Sequence, residues 1–294
     1  MLSLNEQKIQ VLHLEPTDAC NAACPQCLRE TDITFDKNDL HHLTVEQIKS
    51  IVDVDTIKSL DKMFMCGTYG DPAAGKHTLE IYHYFRTINP AITLGMNTNG
   101  GLRNTSWWRE LGQLLNTQKD YVVFSIDGLA DTNHIYRVNV DYEKVIANAQ
   151  EFIQTGGNAH WEMLVFEHNQ HQVEQAQQIA KELGFKWFRA KVTKRFNVAP
   201  VEFLHPPKDW TNPVVTDGNI DCLALNDQSV YISARGLTYP CCWLGANTNY
   251  TLDTFKDVQQ SWTTTNPNDI CKATCTKNAV GTSFTNQWQR EIEF

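Results

Sequence analysis

The sequence predicts an α/β fold built around a parallel sheet, with a small unit after it. Over residues 11–191, short β-rich runs alternate with longer segments of helical period, which is typical of parallel strands joined by crossover helices. The alternation gives six strand and helix units, too few for a complete eight-stranded barrel. Near the end, two β-rich runs flank Ala234-Arg235-Gly236, which indicates a hairpin. The predicted fold is therefore a partial (β/α)6 TIM-like barrel with a small C-terminal domain of a β-hairpin and helices.

The predicted elements have recognisable ends. Thr44 and Gln47 form a capping box ahead of one helical run, Ser106 precedes a later run, and Gly184 follows the last one. Each signal satisfies backbone groups that a helix end leaves without partners. The predicted strands are residues 11–14, 62–66, 92–96, 121–126, 161–165 and 186–191.

We expect three segments along the chain: a barrel over residues 1–195, a linker over residues 196–220 and a C-terminal domain over residues 221–294. Length alone allows one large domain or one domain with a smaller one attached. The linker is assigned because prolines replace periodic apolar residues there. These prolines are Pro200, Pro206, Pro207 and Pro213. Because the first strand starts by Val11, we expect no separate domain ahead of the barrel.

The composition is that of an ordinary soluble protein, with 41% hydrophobic and 20% charged residues. The 34 acidic and 25 basic residues give a net charge of -9, which disfavours nucleic acid or an anionic membrane as a partner. No apolar run approaches the roughly 20 residues of a membrane-spanning helix, and residues 1–10 are too polar for a signal peptide. We therefore expect a cytoplasmic protein that binds neither nucleic acid nor membranes.

The nine cysteines form one group near each end of the chain. In a cytoplasmic protein, cysteines are better explained as metal ligands or redox groups than as a disulfide framework. The first group is Cys20, Cys24 and Cys27, the second is Cys222, Cys241, Cys242, Cys271 and Cys275, and Cys66 lies alone between them. Two separate groups predict two separate cofactor sites.

The first group has the spacing CxxxCxxC and directly follows the first predicted strand. Its three soft sulfur ligands suit an iron-sulfur cluster in which one iron is left open to a ligand that is not protein. The alternative is a structural zinc site, which needs a fourth Cys or His nearby. His41 and His42 are the near candidates for that fourth ligand.

Polar motifs also follow the second, third and fourth predicted strands. They are Gly70-Asp71-Pro72, Asn97-Thr98-Asn99-Gly100 and Ser125-Ile126-Asp127-Gly128. In barrels and open α/β folds, the carboxyl ends of the parallel strands carry the active site. We therefore expect these motifs to lie beside the cysteine loop. For the asparagines at 97 and 99, a role in a tight turn is the equal alternative.

The cysteine spacing resembles that of the radical S-adenosylmethionine (SAM) superfamily. Gly70-Asp71-Pro72 is similar to the Gly-Glu-Pro element of this family, whose backbone receives the amino group of SAM, with Asp in place of Glu. Ser125 and Asp127, with Arg137 ten residues after Asp127, resemble the family's Ser-Leu-Asp-Gly strand end and downstream arginine. The family usually has an aromatic residue before the last cysteine, where this chain has Gln26.

The resemblance implies a SAM-binding [4Fe-4S] cluster and a set of SAM contacts. The implied cluster ligands are Cys20, Cys24 and Cys27. The implied cofactor-binding residues are Gly70, Asp71, Pro72, Asn97, Asn99, Ser125, Asp127 and Arg137. Among these, Ser125 and Arg137 are implied to bind the carboxylate and ribose of SAM, since a guanidinium presents a planar fork of donors to a carboxylate.

The second cysteine group resembles the appendage of many radical SAM enzymes. Cys222 is followed by thirteen residues, a glycine, four residues and Cys241, which is similar to the first half of SPASM and twitch domains. Cys271 and Cys275 would complete four-cysteine ligation of an auxiliary [4Fe-4S] cluster. A full SPASM domain holds two clusters with more cysteines, so this shorter version resembles a twitch domain. Zinc is the alternative metal, and Cys242 is an alternative ligand to Cys241.

The implied activity is reductive cleavage of SAM to methionine and a 5'-deoxyadenosyl radical, which removes hydrogen from a substrate. We favour oxidative modification of a peptide or protein, with a flavodoxin- or ferredoxin-type reductant. The alternative is a small-molecule, sugar-type dehydrogenase or epimerase, and outside this class a non-enzymatic iron-sulfur electron carrier or zinc-binding module. Cys66 and Cys242 are candidate catalytic residues that return a hydrogen atom to a substrate radical. A small core residue is the other interpretation of Cys66.

Overall fold

The computed structural model describes residues 2–4, 7–193, 195–196, 199–208, 219–246, 249–264, 266–276 and 292–294. Its strands are β1 (Ser3–Leu4), β2 (Gln7–Lys8), β3 (Val11–Leu14), β4 (Lys62–Met65), β5 (Thr93–Thr98), β6 (Tyr121–Ser125), β7 (Ala159–Val165), β8 (Trp187–Val192), β9 (Ser229–Ile232), β10 (Thr238–Tyr239) and β11 (Ile292–Glu293). Its α-helices are α1 (Leu28–Thr31), α2 (Val45–Ile51), α3 (Val54–Lys58), α4 (Thr78–Ile88), α5 (Thr105–Leu114), α6 (Asn133–Tyr136), α7 (Tyr142–Gln154), α8 (Val173–Leu183), α9 (Leu223–Asn226), α10 (Cys242–Gly245), α11 (Phe255–Ser261) and α12 (Asp269–Cys275). Short 3-10 helices lie at Pro72–Ala74, Gln170–Gln172 and Leu252–Thr254. No helix within these described ranges is long and apolar enough to cross a membrane.

Among the described residues, the main sheet has nine strands in the order β10-β9-β3-β4-β5-β6-β7-β8-β11. Strands β3 to β8 are parallel to one another, with Val11 opposite Lys62 and Lys62 opposite Thr93 at their starts. The six predicted strands are all present, and their bounds differ from the prediction by at most two residues at either end. The predicted α/β fold with parallel strands and crossover helices is therefore confirmed.

The C-terminal hairpin continues the sheet of the barrel. Strand β9 pairs in parallel with β3, with Ser229 opposite Val11, and β10 pairs antiparallel with β9. Gly236 in the turn has a φ of +76°, a conformation that favours glycine. The predicted borders at residues 195 and 220 stay predictions. Some residues of these predicted segments lie outside the described residues. In the predicted linker they are 197, 198 and 209–218, including Pro213, and in the predicted C-terminal domain they are 247, 248, 265 and 277–291.

The helix ends follow the predicted signals with one correction. The Thr44 hydroxyl accepts the Gln47 backbone N–H while the Gln47 side chain accepts the Thr44 N–H, which confirms the capping box of α2. Gly184 ends α8 with a φ of +87°. The prediction that Ser106 precedes α5 is wrong, because α5 begins at Thr105 and Asn104 Oδ1 accepts the N–H group three residues on.

The two faces of the sheet differ in chemistry. On the face that the helices cover, the ring centroids of Trp108 and Phe124 lie 5.2 Å apart, and those of Trp161 and Phe185 lie 5.4 Å apart. Alternate residues of the same strands, such as Glu162 beside Trp161, point to the opposite face. That second face forms the interior of the partial barrel. The fold therefore combines an apolar layer under the helices with a polar interior.

Replacing Trp161 by alanine tests this packing. The Trp161 side chain is fully buried, and its Nε1 donates to the backbone oxygen of Ile126 over 2.9 Å. We expect Trp161→Ala to lower the free energy of unfolding by about 3–5 kcal/mol in urea denaturation, because the change leaves a cavity. Trp243→Ala, at an indole that is 43% exposed, should lower it by less than about 1 kcal/mol. Equal losses in the two variants would contradict the packing.

Candidate active site

The loop between β3 and α1 carries the CxxxCxxC motif. The N–H of Cys27 donates to the backbone oxygen of Cys24 over 2.8 Å, which closes a tight turn, and Cys27 is the N-cap residue of α1. Cys24 is buried, whereas Cys20 and Cys27 are partly buried. In the part of the chain that the structure describes, no three Cys, His, Asp or Glu side chains converge closely enough to hold a single metal ion. The turn presents the three thiols on one short stretch of chain.

Three N–H groups point at the sulfur atoms of this loop. The Ala22 backbone N–H and Asn99 Nδ2 donate to Cys20 Sγ over 3.3 and 3.6 Å, and Arg137 Nη1 donates to Cys24 Sγ over 3.8 Å. Burial raises the pKa of Cys20 to about 12 and the pKa of Cys24 to about 11, so thiolates here need a positively charged partner. Hydrogen bonds to sulfur and exclusion of water are the means by which a protein tunes an iron-sulfur cluster. The donor set fits a cluster of this kind.

Asp71 is the buried centre of a hydrogen-bond network. Its Oδ1 accepts from Thr98 Oγ1 over 2.8 Å and from the Ala73 N–H over 2.9 Å, and its Oδ2 accepts the Asn99 N–H over 2.7 Å. The Asp71 N–H in turn donates to the backbone oxygen of Ala19 over 2.8 Å. Both carboxylate oxygens therefore bind protein groups. The network joins the loop after β4 to the end of β5 and to the cysteine loop.

The loop between β4 and Asp71 has no spare room. A Cβ atom added at Gly70 would lie 1.9 Å from the backbone oxygen of Thr17, and one added at Gly67 would lie 1.8 Å from the backbone oxygen of Gly70. Buried Pro72 begins the short 3-10 helix that follows. Because only glycine fits at positions 67 and 70, backbone contacts fix the path of this loop.

Asn97 and Asn99 have different surroundings. Asn99 Nδ2 donates to Asn21 Oδ1 over 2.9 Å, and Asn99 Oδ1 accepts the Gly101 N–H over 2.8 Å. Asn97 is 9% exposed, and no described group forms a hydrogen bond with its Oδ1. Asn99 thus ties the third strand end to the cysteine loop. Asn97 presents a buried acceptor to the barrel interior.

Arg137 lies in the site rather than on the surface. Its Nε donates to Asp127 Oδ2 over 2.6 Å, and the Arg137 side chain is 16% exposed. Asp127 Oδ1 accepts the Leu164 N–H over 2.6 Å, so Asp127 connects Arg137 to β7. Ser125 ends β6 opposite Glu162 and is partly buried. The structure therefore brings the downstream arginine back to the strand end and to the cysteine loop.

The C-terminal cysteines come from three short helices. Cys222 and Cys241 are the N-cap residues of α9 and α10, and Cys271 and Cys275 lie one turn apart in α12. The Asp221 N–H donates to the backbone oxygen of Cys275 over 2.7 Å, which brings the start of α9 to the end of α12. Burial raises the pKa of Cys222 to about 12, with the thiols of Cys275 and Cys271 adding to the shift. Burial also raises the pKa of Cys241, with Cys275 and Cys222 adding to it. The four side chains therefore share one neighbourhood.

Cys242 faces different surroundings from its neighbour Cys241. Burial raises the pKa of Cys242 well above its usual value, and the charges of Cys241, Cys66 and Glu15 raise it further. Burial likewise raises the pKa of Cys66, which follows β4, to about 12, with Glu15 and Glu162 adding to the shift. Cys66 and Cys242 therefore share Glu15 as a neighbouring charged group. Cys241 stays with the C-terminal group.

The partners of two residues in the site were not predicted. Glu15 is 1% exposed, and its Oε1 accepts the N–H groups of Tyr69 and Gly70 over 2.7 and 3.0 Å. Gln26 Nε2 donates to the backbone oxygen of Ala199 over 3.1 Å, which ties the cysteine loop to the chain after β8. The available signals were a lone carboxylate directly after an apolar run and a polar residue where related sequences have an aromatic one. Neither signal indicates which group the side chain would form a hydrogen bond with.

Comparisons with known proteins give a consistent result. A family model described as the Radical SAM superfamily matches residues 14–186. A GTP 3',8-cyclase of Syntrophomonas wolfei subsp. wolfei is 25% identical over 139 residues, which cover 46% of this chain and 40% of the cyclase.

Two solved structures share the fold. SuiB of Streptococcus suis, bound to its precursor peptide SuiA, superposes with a TM-score of 0.59 and 14% identity over 89% of this chain and 66% of SuiB. The anSMEcpe enzyme, with AdoMet and the Cp18Cys peptide bound, gives a TM-score of 0.55 and 17% identity over 95% of this chain and 82% of that one. This chain spans less than half the length of the cyclase and about two thirds of SuiB.

The match to the family model includes the features that the structure brings together. It covers more than half of the chain, the whole CxxxCxxC loop and the polar motifs after the second, third and fourth strands of the barrel. The two solved structures independently agree in fold. The chain therefore belongs to the radical SAM superfamily.

Proposed function

We propose that the protein holds a [4Fe-4S] cluster on Cys20, Cys24 and Cys27, cleaves SAM reductively and uses the resulting radical to modify a peptide or protein. The observation that carries this proposal is the pair of contacts made by Asn99, from its side chain to Cys20 and from its backbone to Asp71. These contacts hold a loop that resembles the SAM-binding element of the family against the cysteine loop. A zinc-stabilised module or a simple electron carrier would not require this connection.

Arg137 and its neighbours would orient the carboxylate end of SAM. When bound, a cluster at this loop supplies the electron that splits SAM into methionine and a 5'-deoxyadenosyl radical. Arg137 offers a fixed positive charge beside Cys24, which suits a carboxylate. Asp127 acts through Arg137, because one of its oxygens holds the guanidinium and the other binds β7. Ser125, at the end of the adjoining strand, would contact the ribose.

The loop after β4 would receive the amino group of SAM. Asp71 contributes by fixing the loop, since both of its oxygens already bind protein donors. Gly70 and Pro72 set the path of the backbone on either side of it. Asn99 supports the same loop, whereas Asn97 would line the pocket with its buried oxygen. Burial of these groups keeps water away from the radical.

A peptide or protein is the substrate class that the comparisons support. SuiB was solved with a precursor peptide and anSMEcpe with a bound peptide, and both share the fold of this chain. The cyclase is named for a nucleotide reaction, so a small molecule, including a sugar, is the alternative substrate. The barrel interior suits a polar substrate group, since Glu162 accepts from Lys191 Nζ there over 2.6 Å.

The C-terminal cysteines would hold an auxiliary [4Fe-4S] cluster. Ligation by Cys222, Cys241, Cys271 and Cys275 leaves no iron open, which suits electron transfer rather than SAM binding. This arrangement, in a twitch-type C-terminal domain, favours a net oxidation of the substrate. The proposal includes a cytoplasmic location, where a flavodoxin- or ferredoxin-type protein serves as the reductant.

Epimerisation is the second candidate, and the position of Cys66 and Cys242 favours it. The two thiols lie near Glu15 on the barrel side of the C-terminal hairpin. A protonated thiol carries a hydrogen atom that it can return to a substrate radical. The thiyl radical left behind would take an electron from the same reductant and a proton from solvent.

Cys24→Ala tests the cluster assignment. After anaerobic reconstitution, the wild type with dithionite and SAM should form 5'-deoxyadenosine, while Cys24→Ala should form none above background and lose about four iron atoms per chain. His42→Ala is the control, because it removes the residue that a zinc site would recruit, and it should keep iron and activity. Zinc in place of iron, with no 5'-deoxyadenosine from the wild type, would refute the proposal.

Asp71→Asn tests the loop that would receive SAM. Asn presents N–H groups to a site where Asp71 accepts three hydrogen bonds, so we expect the KM for SAM to rise about 10- to 100-fold. The readout is the rate of 5'-deoxyadenosine formation across SAM concentrations. Asp55→Asn, at an exposed carboxylate in α3, is the matched control and should leave the KM unchanged. An unchanged KM in Asp71→Asn would show that the Asp71 network does not contribute to SAM binding.

The raised pKa of Cys66 predicts slow alkylation. A thiol with a pKa near 12 is protonated at pH 8, so its rate of reaction with iodoacetamide should stay low and rise about tenfold for each pH unit up to that pKa. Peptide mass spectrometry of the folded protein at several pH values measures the rate at Cys66. If Cys66 at pH 8 reacted as fast as in the unfolded chain, the hydrogen-donor role would lose its support.

A further inference from the structure

Glu15 is the buried acceptor at which the C-terminal hairpin meets the loop after β4. Its Oε1 accepts the Tyr69 and Gly70 N–H groups over 2.7 and 3.0 Å, and its Oε2 accepts the hydroxyl of Tyr231. The Glu15 N–H also donates to the backbone oxygen of Ile232 over 2.9 Å. Both carboxylate oxygens therefore bind protein donors, which argues against Glu15 as a direct substrate contact.

The loop side of this connection cannot shift alone. A Cβ atom at Gly67 would clash with the backbone of Gly70, and a Cβ atom at Gly70 would clash with the backbone of Thr17. Asp71 follows directly and accepts the Asn99 N–H. A displacement of the Gly70 N–H would therefore also displace Asp71 and, through it, Asn99, which contacts the cysteine loop.

The hairpin side is equally fixed. Tyr231 in β9 is 1% exposed, and its ring centroid lies 4.8 Å from that of His13 and 6.1 Å from that of Tyr239. A Cβ atom added at Gly245 of α10 would lie 2.5 Å from the Tyr231 ring, so α10 covers that ring closely. The position of the Tyr231 hydroxyl thus depends on the packing of β9, β10 and α10.

We propose that Glu15 is a positioning residue that couples the C-terminal hairpin, through Tyr231, to the loop that receives SAM. This inference rests on the proposed SAM-binding function of the loop. Among the described hydrogen bonds, none joins the Glu15 carboxylate to Cys20, Cys24 or Cys27. Its carboxylate holds two loop N–H groups in place and receives its own orientation from the Tyr231 hydroxyl. The strength of SAM binding therefore depends on a residue of the hairpin more than 150 positions away in sequence from the loop.

Variants at both ends of the connection test the coupling. Glu15→Met removes the acceptor at similar volume and leaves two buried N–H groups without a partner, so the KM for SAM should rise about 10-fold or more with kcat changed less than about 3-fold. Tyr231→Phe should raise the KM about 3- to 10-fold, since one hydrogen bond to a carboxylate is lost. Glu15→Gln keeps an acceptor oxygen for the loop and should restore the KM to within about 3-fold of the wild type.

The double variant Glu15→Met with Tyr231→Phe separates coupling from two independent effects. If the two residues act as one unit, its KM should equal that of Glu15→Met alone, because the Tyr231 hydroxyl then has no carboxylate to orient. Tyr239→Phe is the matched control, a neighbouring hairpin tyrosine whose ring packs on Tyr231, and it should bind SAM like the wild type. Additive effects in the double variant would overturn the proposal.

Calorimetric SAM binding by the reconstituted proteins makes the test independent of turnover. If the wild type binds SAM but forms no 5'-deoxyadenosine, the proposed function fails, and the affinities of the variants still decide this inference. A missing thermal unfolding transition in Glu15→Met would mean that this variant does not fold. The test then rests on Tyr231→Phe, which removes only a single oxygen atom. A SAM affinity in Tyr231→Phe equal to that of the wild type would overturn the coupling.

Discussion

The parallel register of β3, β4, β5 and β6 is the constraint on which the site depends. Because these strands run in one direction, the loops at their carboxyl ends are adjacent, and each loop can contact the next. Asp71 joins two of these loops by accepting hydrogen bonds from Thr98 and from the Asn99 backbone, and the Asn99 side chain reaches Cys20. Burying a carboxylate is costly unless donors surround it. Three donors offset that cost at Asp71, so the network is both a support for the site and a condition for its folding.

Local patterns in the sequence predicted the elements well, and pairings between distant residues poorly. The alternation of strands and helices, the capping box at Thr44 and the cysteine spacing are short-range signals, and the structure has each of them. Ser106 was predicted to precede α5, whereas Asn104 caps this helix, because the cap depends on where the backbone turns. The different surroundings of Asn97 and Asn99 follow from how three loops pack. No local pattern encodes that packing.

The attachment of the hairpin is the clearest case of information that the sequence pattern lacks. A hairpin near residue 235 was predicted, but its pairing with β3 joins residues more than 200 positions apart. Strand β9 covers the edge of β3, whose backbone groups would otherwise lack partners on that side. Barrel and hairpin share one sheet, so a cut between residues 220 and 229 would expose a buried strand. The pairing of Glu15 with Tyr231 was not predicted for the same reason, since Tyr231 lies in β9.

Cys241 and Cys242 are consecutive residues with different neighbours. Cys241 lies with the C-terminal thiols, and Cys242 lies near Cys66 and Glu15 at the barrel interior. A single peptide bond therefore links the C-terminal thiols to the residues around Cys66 and Glu15. A shift of this stretch of backbone would therefore change the surroundings of both cysteines at once.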